Sequence, residues 1–227
     1  MSDWRLVLET SGRGGAVALA RGDQLAAEVA LDPARRHNRD LAPAVARLLD
    51  DHGVSPRDLR AVLVSIGPGS FTGLRVGLMS AKALAWATDC GLVPVPTFAA
   101  VAEELPADVA AADLVADALQ GMIYAQRFGR DAGGEWRATE PLRIVAAAGW
   151  VRDRDAAVAV AGPGLAAVAG LLSPETPRLT AGATAAGVLR AGLRLSPAVG
   201  AELTALEPLY LRGSSAEEKR AGKPPAT

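Results

Sequence analysis

Cysteine occurs once in these 227 residues, at Cys90, so no intramolecular disulfide can brace the fold. Such a chain suits a reducing compartment. Lysine is almost as scarce, with Lys82, Lys219 and Lys223 the only lysines among 24 basic residues. We ascribe the Ala/Arg-rich usage to genome composition and assign it no function. Neither sign of charge predominates, because 24 basic and 25 acidic residues leave a net −1 at pH 7. This balance excludes a general attraction to nucleic acid or to an anionic membrane and confines any nucleic-acid contact to a local patch. No run of 18 apolar residues occurs, and the opening MSDWRLVLETSGRGG lacks a basic segment followed by an apolar one. We therefore expect neither a membrane span nor export, and the cytoplasm as the compartment. Histidine occurs only at His37 and His52, fifteen positions apart, which is not the helical pairing that zinc or iron would need. No metal site is expected, and the two histidines read as a helix flank and a helix C-terminal residue.

What is present is apolar: half the residues, in a chain long enough for one or two domains and a sizeable core. WRLVLE (4–9), GAVALA (15–20) and QLAAEVAL (24–31) read as an antiparallel meander, broken by Ser11–Gly14 and by Gly22-Asp23. Leu41, Val45, Leu48 and Leu49 fall at helical spacing, giving a helix over 40–52, with Asn38 or Asp40 as N-cap, Pro43 in the first turn and Gly53 as the stop. RAVLVSI (60–66) is a buried strand, 70–88 a long helix and 92–95 another strand, so a mixed sheet carries helices on its faces. Further on, 113–118 and 121–128 form a hairpin, 156–161 a strand and 165–172 a helix. A Gly-Pro-Gly follows a strand and precedes a helix twice, at 67–69 and 162–164, which suggests two related lobes; chance recurrence in a Gly-rich chain is the alternative. The lobes are expected at 1–106 and 107–212. The segment 213–227 has no apolar residue beyond alanine and is expected to be disordered.

SIGPGSFTGLRVG (65–77) resembles a phosphate loop without satisfying one. A Walker loop needs G-x-x-x-x-G-K-[ST], and neither the spacing nor the lysine is there. The dinucleotide pattern G-x-G-x-x-G fails at Thr72, and a G-x-S-x-G elbow around Ser70 fails at Pro68 and Thr72. What the stretch does contain is a ridge of small residues, Gly69, Gly73, Gly77, Ala81 and Ala85, at every fourth position. Such a ridge permits close backbone approach. The rest of the helix is also largely apolar, and its only charges, Arg75 and Lys82, lie within about 20° of each other around the axis. A helix apolar nearly all round must be covered on more than one side. It lies either between the sheet and helix 40–52, or partly against another protein chain.

GPGSFTGLRVG, LVLETSG, RRHNRDLAPAVARLL and EPLYLR together resemble the bacterial TsaB (YeaZ) family of the actin-like ATPase superfamily, across roughly residues 5–212. The resemblance implies an α/β, two-lobed, ribonuclease H-like duplicated fold with mixed sheets flanked by helices. It also implies a non-catalytic part in making N6-threonylcarbamoyladenosine on tRNAs that read codons beginning with A. The partners implied are a catalytic TsaD paralogue and the small ATPase TsaE, with a homodimer as a further pairing and tRNA met through the complex. Family members pair through the helices equivalent to 40–52 and 70–88, so the expected interface comprises Leu41, Val45, Leu48, Phe71, Gly73, Leu74, Gly77, Leu78, Ala81 and Ala85. Arg35, Arg36 and Arg39 form a small basic cluster beside it.

Two departures bear on chemistry. Glu9-Thr10 stands where the family usually has Asp-Thr, and the D-A-R-x-x-E-V-Y region reads Asp117-Ala118-Leu119-Gln120-Gly121-Met122-Ile123-Tyr124, without the Arg and the Glu. A kinase or ATPase of the superfamily would use Glu9, Thr10, Ser11, Gly12 and Asp117 for phosphate or Mg²⁺ and 162–164 for adenosine, although each also reads as a strand end or turn. TsaD-like proteins carry a histidine pair after the strand equivalent to 92–95, where this chain has PTFAAVAEE. No catalytic residue, metal or cofactor is expected. ATP or ADP at the partner interface is the nucleotide alternative.

Overall fold

The structure is a computed structural model that describes residues 3–32 and 37–209, with only the backbone of 37–39 described. Tyr210–Thr227, and with them the tail at 213–227, lie outside the described residues, as do Arg35, Arg36 and the side chains of His37 and Arg39.

Strands β1 (Trp4–Glu9), β2 (Gly15–Arg21) and β3 (Gln24–Leu31) form the expected antiparallel meander, with Leu6 opposite Leu19 and Leu8 opposite Val17. β4 (Leu59–Ser65) joins the other edge of β1 in parallel, and β5 (Gly91–Val95) follows it, giving the order β3-β2-β1-β4-β5. The central strands are apolar on successive residues because both faces of the sheet are covered. Leu6, Leu8, Val17, Leu19, Val62 and Val64 face helices α1 (His37–Asp51) and α2 (Phe71–Thr88). Val7, Ala18, Leu63 and Val93 face a second layer on the opposite side.

Helix α1 begins three residues before the expected start, so Pro43 lies inside it rather than in its first turn. Burial of Leu41, Ala44, Leu48 and Leu49 against the sheet offsets the hydrogen bond that a proline cannot donate. Helix α2 starts where expected, because Ser70 caps it: its Oγ accepts from Gly73 N at 3.2 Å. We predict that Ser70→Ala costs about 1 kcal/mol, read by chemical denaturation.

The second sheet is built from β6 (Ala111–Asp117), β7 (Met122–Arg130), β8 (Trp136–Ala138), β9 (Arg143–Ala146), β10 (Ala159–Ala161) and β11 (Arg178–Leu179). Its order is β11-β10-β6-β7-β8, with β9 also paired to β7. It repeats the first sheet: β6 is antiparallel to β7 and parallel to β10, as β1 is antiparallel to β2 and parallel to β4. The two Gly-Pro-Gly loops occupy equivalent places, and Gly67 (φ 117°) and Gly162 (φ 106°) share a backbone conformation open to glycine. The recurrence is structural, not chance.

The strand expected over 156–161 is shorter because Asp155 folds the chain first, its Oδ1 accepting from Ala157 N at 3.0 Å. The helix expected over 165–172 stops after one turn, as α5 (Leu165–Val168), where Leu171 N turns back to Val168 O. Helices α3 (Thr97–Ala102), α4 (Ala147–Asp153), α6 (Ala185–Gly192) and α7 (Ala201–Ala205), with β8, β9 and β11, are elements that the periodicity did not indicate. α3 packs against β6, β8 and α6; α6 supplies the second layer on the first sheet through Ala185, Val188 and Leu189. The chain thus returns to the first sheet at its end: Leu92 and Ala198 exchange backbone hydrogen bonds, and α7 lies beside α2. No helix among the described residues is long and apolar enough to cross a membrane.

Candidate partner face and the turn beneath it

The turn after β1 is where the glycine ridge makes its contacts. Glu9, Thr10 and Ser11 are all buried. Glu9 Oε1 accepts from Ser11 N at 2.7 Å and from Ser11 Oγ at 2.5 Å, and Thr10 N donates to Ser65 Oγ at 3.3 Å. Ser70 N at the head of α2 donates to Ser11 O at 2.7 Å. A Cβ on Gly69 would lie 2.5 Å from Ser11 O, one on Gly73 would collide with Thr10 O, and one on Gly77 with Thr10 Oγ1. The small residues exist so that α2 can lie on this turn.

This placement corrects the expected interface. Leu41, Leu48, Gly73, Leu74, Gly77, Leu78, Ala81 and Ala85 all lie inside the chain's own core, and only Val45 and Phe71 are partly accessible. The ridge itself is internal, seated on the chain's own β1 turn. Yet α2 is not fully covered. Thr72, Arg75, Met79, Ala83 and Trp86 form one exposed stripe, with Met79 62% and Trp86 80% exposed. Two apolar side chains seven residues apart share a helix face. The C-terminal return borders this face: Lys82 Nζ donates to Thr204 O at 3.0 Å, and a cavity of about 470 Å³ opens between Arg75, Met79 and Lys82 on one side and Leu206 and Pro208 on the other. Past it, Trp86 and Val199, 56% exposed, line a second cavity of about 350 Å³. In sequence Met79 and Trp86 belong to the largely apolar remainder of the helix, with nothing but their seven-residue spacing to set them on its outward face, and Val199 and Leu206 carry no signal.

The residues considered for phosphate chemistry are held by the fold. Burial pushes the Glu9 carboxyl above its ordinary value of 4.5, and the hydrogen bonds from Ser11 lower it only in part. Among the described residues Glu9 Oε2 and Thr10 Oγ1 have no hydrogen-bond partner. Asp117 is exposed, and its Oδ1 accepts from Leu119 N at 2.7 Å in a turn whose Leu119, Gln120 and Gly121 all have positive φ. The loop 162–164 is filled by protein: a Cβ on Gly162 would lie 2.5 Å from Val115 O and one on Gly164 2.5 Å from Ala116 Cα. Among the described residues no group of three or more His, Cys, Asp or Glu could hold a metal ion. His52 Nδ1 lies 2.9 Å from Leu48 O at the end of α1, and Cys90 is buried, with its thiol pushed up by burial.

The state of Glu9 gives a pH-dependent prediction. Well below pH 4.5 the carboxyl is protonated in both folded and unfolded chains and contributes no difference. As pH rises, the unfolded chain ionises first and the folded one resists, so stability falls until the raised folded value is passed. Glu9→Gln removes this slope. Its stability relative to the parent therefore improves from acid toward neutral pH, measured by urea unfolding at a series of pH values; parallel curves would refute a raised carboxyl.

Residues 27–136 match the family model described as TsaD: tRNA N6-adenosine threonylcarbamoyltransferase. The tRNA threonylcarbamoyladenosine biosynthesis protein TsaB of Bacillus subtilis (strain 168) is 34% identical over 119 residues, which cover 52% of this chain and 52% of that protein. The TsaB of Escherichia coli (strain K12) is 30% identical over 142 residues, 62% of this chain and 61% of that one. The chain thus spans about half the length of the curated relatives it matches. The structural likeness is longer: a Pseudomonas aeruginosa protein described as similar to the peptidase YEAZ superposes with a TM-score of 0.79 at 25% identity, over 93% of this chain and all of that one. The shared architecture is the two mixed sheets flanked by helices of an actin-like fold. Likeness to TsaB proteins in sequence over half of the chain or somewhat more, and a YeaZ-like course over nearly all of it, together support the TsaB/YeaZ family.

Proposed function

We propose that this chain takes part in forming N6-threonylcarbamoyladenosine in tRNA as a non-catalytic subunit, docking a TsaD paralogue on the exposed stripe of α2. The observation that carries this reading is the pairing of a rigidly seated helix with an unpartnered apolar face. The glycine contacts fix α2 against the β1 turn, while Met79 and Trp86 stand in solvent. Large aromatic and Met side chains at the centre of a patch are the usual anchors of protein interfaces. The names of the curated relatives supply the pathway. The second support is the condition of the superfamily's phosphate positions: Glu9 and Thr10 are enclosed by their own turn, and the second glycine loop is packed on β6.

A scaffold acts by stabilising the competent arrangement of its partner, which needs differential binding and no chemistry of its own. TsaE joins the same assembly in this reading, and a homodimer uses the same stripe when TsaD is absent. The experiment is co-purification with the TsaD paralogue of the same organism, then tRNA modification with each protein omitted in turn. Modification that needs both proteins, with no ATP turnover by this chain alone, is the expected result. Modification that proceeds unchanged without this chain, or ATP hydrolysis by it that Glu9→Ala abolishes, would refute the proposal.

A further inference from the structure

A cavity of about 380 Å³ lies on the α4 side of the second sheet, away from the α2 face, and its charges are layered by depth. At its floor Asp113, on β6, joins two arginines. Arg127, its cross-strand neighbour on β7, donates Nε at 2.7 Å to one carboxylate oxygen and Nη2 at 3.1 Å to the other, and Arg154 donates Nε at 3.0 Å. The side chains of Asp113 and Arg154 are 5% and 3% exposed and that of Arg127 is 25% exposed. One carboxylate between two guanidiniums leaves the floor with an excess positive charge. Arg127 Nη1 stands 3.7 Å from Glu140 Oε1, an ion-pair distance too long for a hydrogen bond, so donors remain to be used. The rim is the reverse: Glu140, Asp153 and Asp155 outnumber Arg143, which is held to Glu140 at 2.6 Å. Trp150, with the Arg154 guanidinium 5.3 Å from its ring centroid, and Val145 supply an apolar wall.

We infer that this cavity binds a small free L-α-amino acid, its carboxylate toward Arg127, its ammonium toward the acidic rim and its side chain against Trp150 and Val145. A free anion would be repelled at the rim and a simple amine would find a cation at the floor. Only a ligand with both charges matches the layering, and the volume suits a side chain of a few carbons. This site is independent of pairing through α2, so either proposal can fail alone.

The test titrates the full chain with L-valine, with 3-methylbutanoate and with 2-methylpropan-1-amine, following the Trp150 indole N–H by NMR. L-Valine should give a saturable shift, and each half-molecule should bind at least about tenfold more weakly, the loss expected for one charged contact. Arg127→Gln should abolish the response. Because that change disturbs the Asp113 cluster, Gly149→Leu serves as an independent plug. Gly149 lines the cavity in α4, a Cβ there meets nothing closer than Arg152 Nη2 at 3.8 Å, and leucine favours the helix. It should keep the fold and lose the shift. No saturable response to L-valine, equal binding of either half-molecule, or L-valine binding that survives Gly149→Leu would overturn the inference.

Discussion

Under the docking proposed for α2, Trp86→Glu is expected to leave the monomer as stable as the parent and to abolish the association with a TsaD paralogue. The indole is 80% exposed, so its loss changes unfolding free energy by no more than about 0.5 kcal/mol. In the proposed complex the same side chain would be buried, and a glutamate in its place would carry a charge into a desolvated patch. Truncating a central aromatic anchor alone costs about 2–4 kcal/mol, so affinity falls at least about thirtyfold. Met79→Glu, one stripe position along, behaves in the same way. Analytical ultracentrifugation of mixtures reads the association, and thermal unfolding confirms that the variants are intact. A complex that forms with parental affinity despite both substitutions would move the partner face elsewhere on the molecule.

Gly73→Ala has the opposite signature: it destabilises the monomer and impairs pairing only through that loss. A methyl group at this position collides with the backbone oxygen of Thr10, which cannot rotate away. Overpacking of this kind costs on the order of 3 kcal/mol, more than alanine's helix preference over glycine returns. For a domain of this size the midpoint of thermal unfolding drops by roughly 6–12 °C. Gly77→Ala differs in an informative way, because its obstacle is the Thr10 hydroxyl, a side-chain atom. Thr10→Ala should therefore rescue much of the Gly77→Ala defect and none of the Gly73→Ala defect. Equal rescue of both would mean that the helix shifts as a body, and that its fit on the turn is looser than the geometry describes.

Helix α2 has one face seated on the turn and another in solvent, and its sequence marks the second only weakly, by Arg75 and by the spacing of Met79 and Trp86. FTGLRVGLMSAKALAWAT is apolar in nearly every direction, so no one side stands out as the buried one. The ridge of small residues was legible as a close-approach surface, since glycine and alanine at every fourth position have little other use. Whether that surface met its own chain or another was not. Packing decided it, because the turn Glu9–Ser11 comes to the end of β1 just where α2 crosses, and that meeting joins residues about 60 positions apart.

The same distinction holds along the chain. The meander, β4, β5, the hairpin of β6 and β7 and the twin Gly-Pro-Gly loops were readable because strand and turn signals depend on near neighbours: a period of two, a continuous apolar run, a glycine where φ is positive. TFAAVA gave no such signal, since a helix of six residues buried all round has no polar face to mark it. Residues 185–192 gave too short a period to read, with Arg190 alone marking the outer side, although α6 packs on β1, β2, β4 and β5 of the first sheet.

By itself the sequence determined the duplicated strand-loop-helix order, the absence of disulfides and the family resemblance, all of which are written in local pattern and composition. Only the tertiary structure decided which side of α2 stays in solvent, that the C-terminal helices return to the first sheet, and that Asp113, Arg127 and Arg154 share one cavity floor. The reason is physical: periodicity fixes how a segment folds, but the partner of each face is chosen by which distant surface fills it without voids, collisions or unpaired charge.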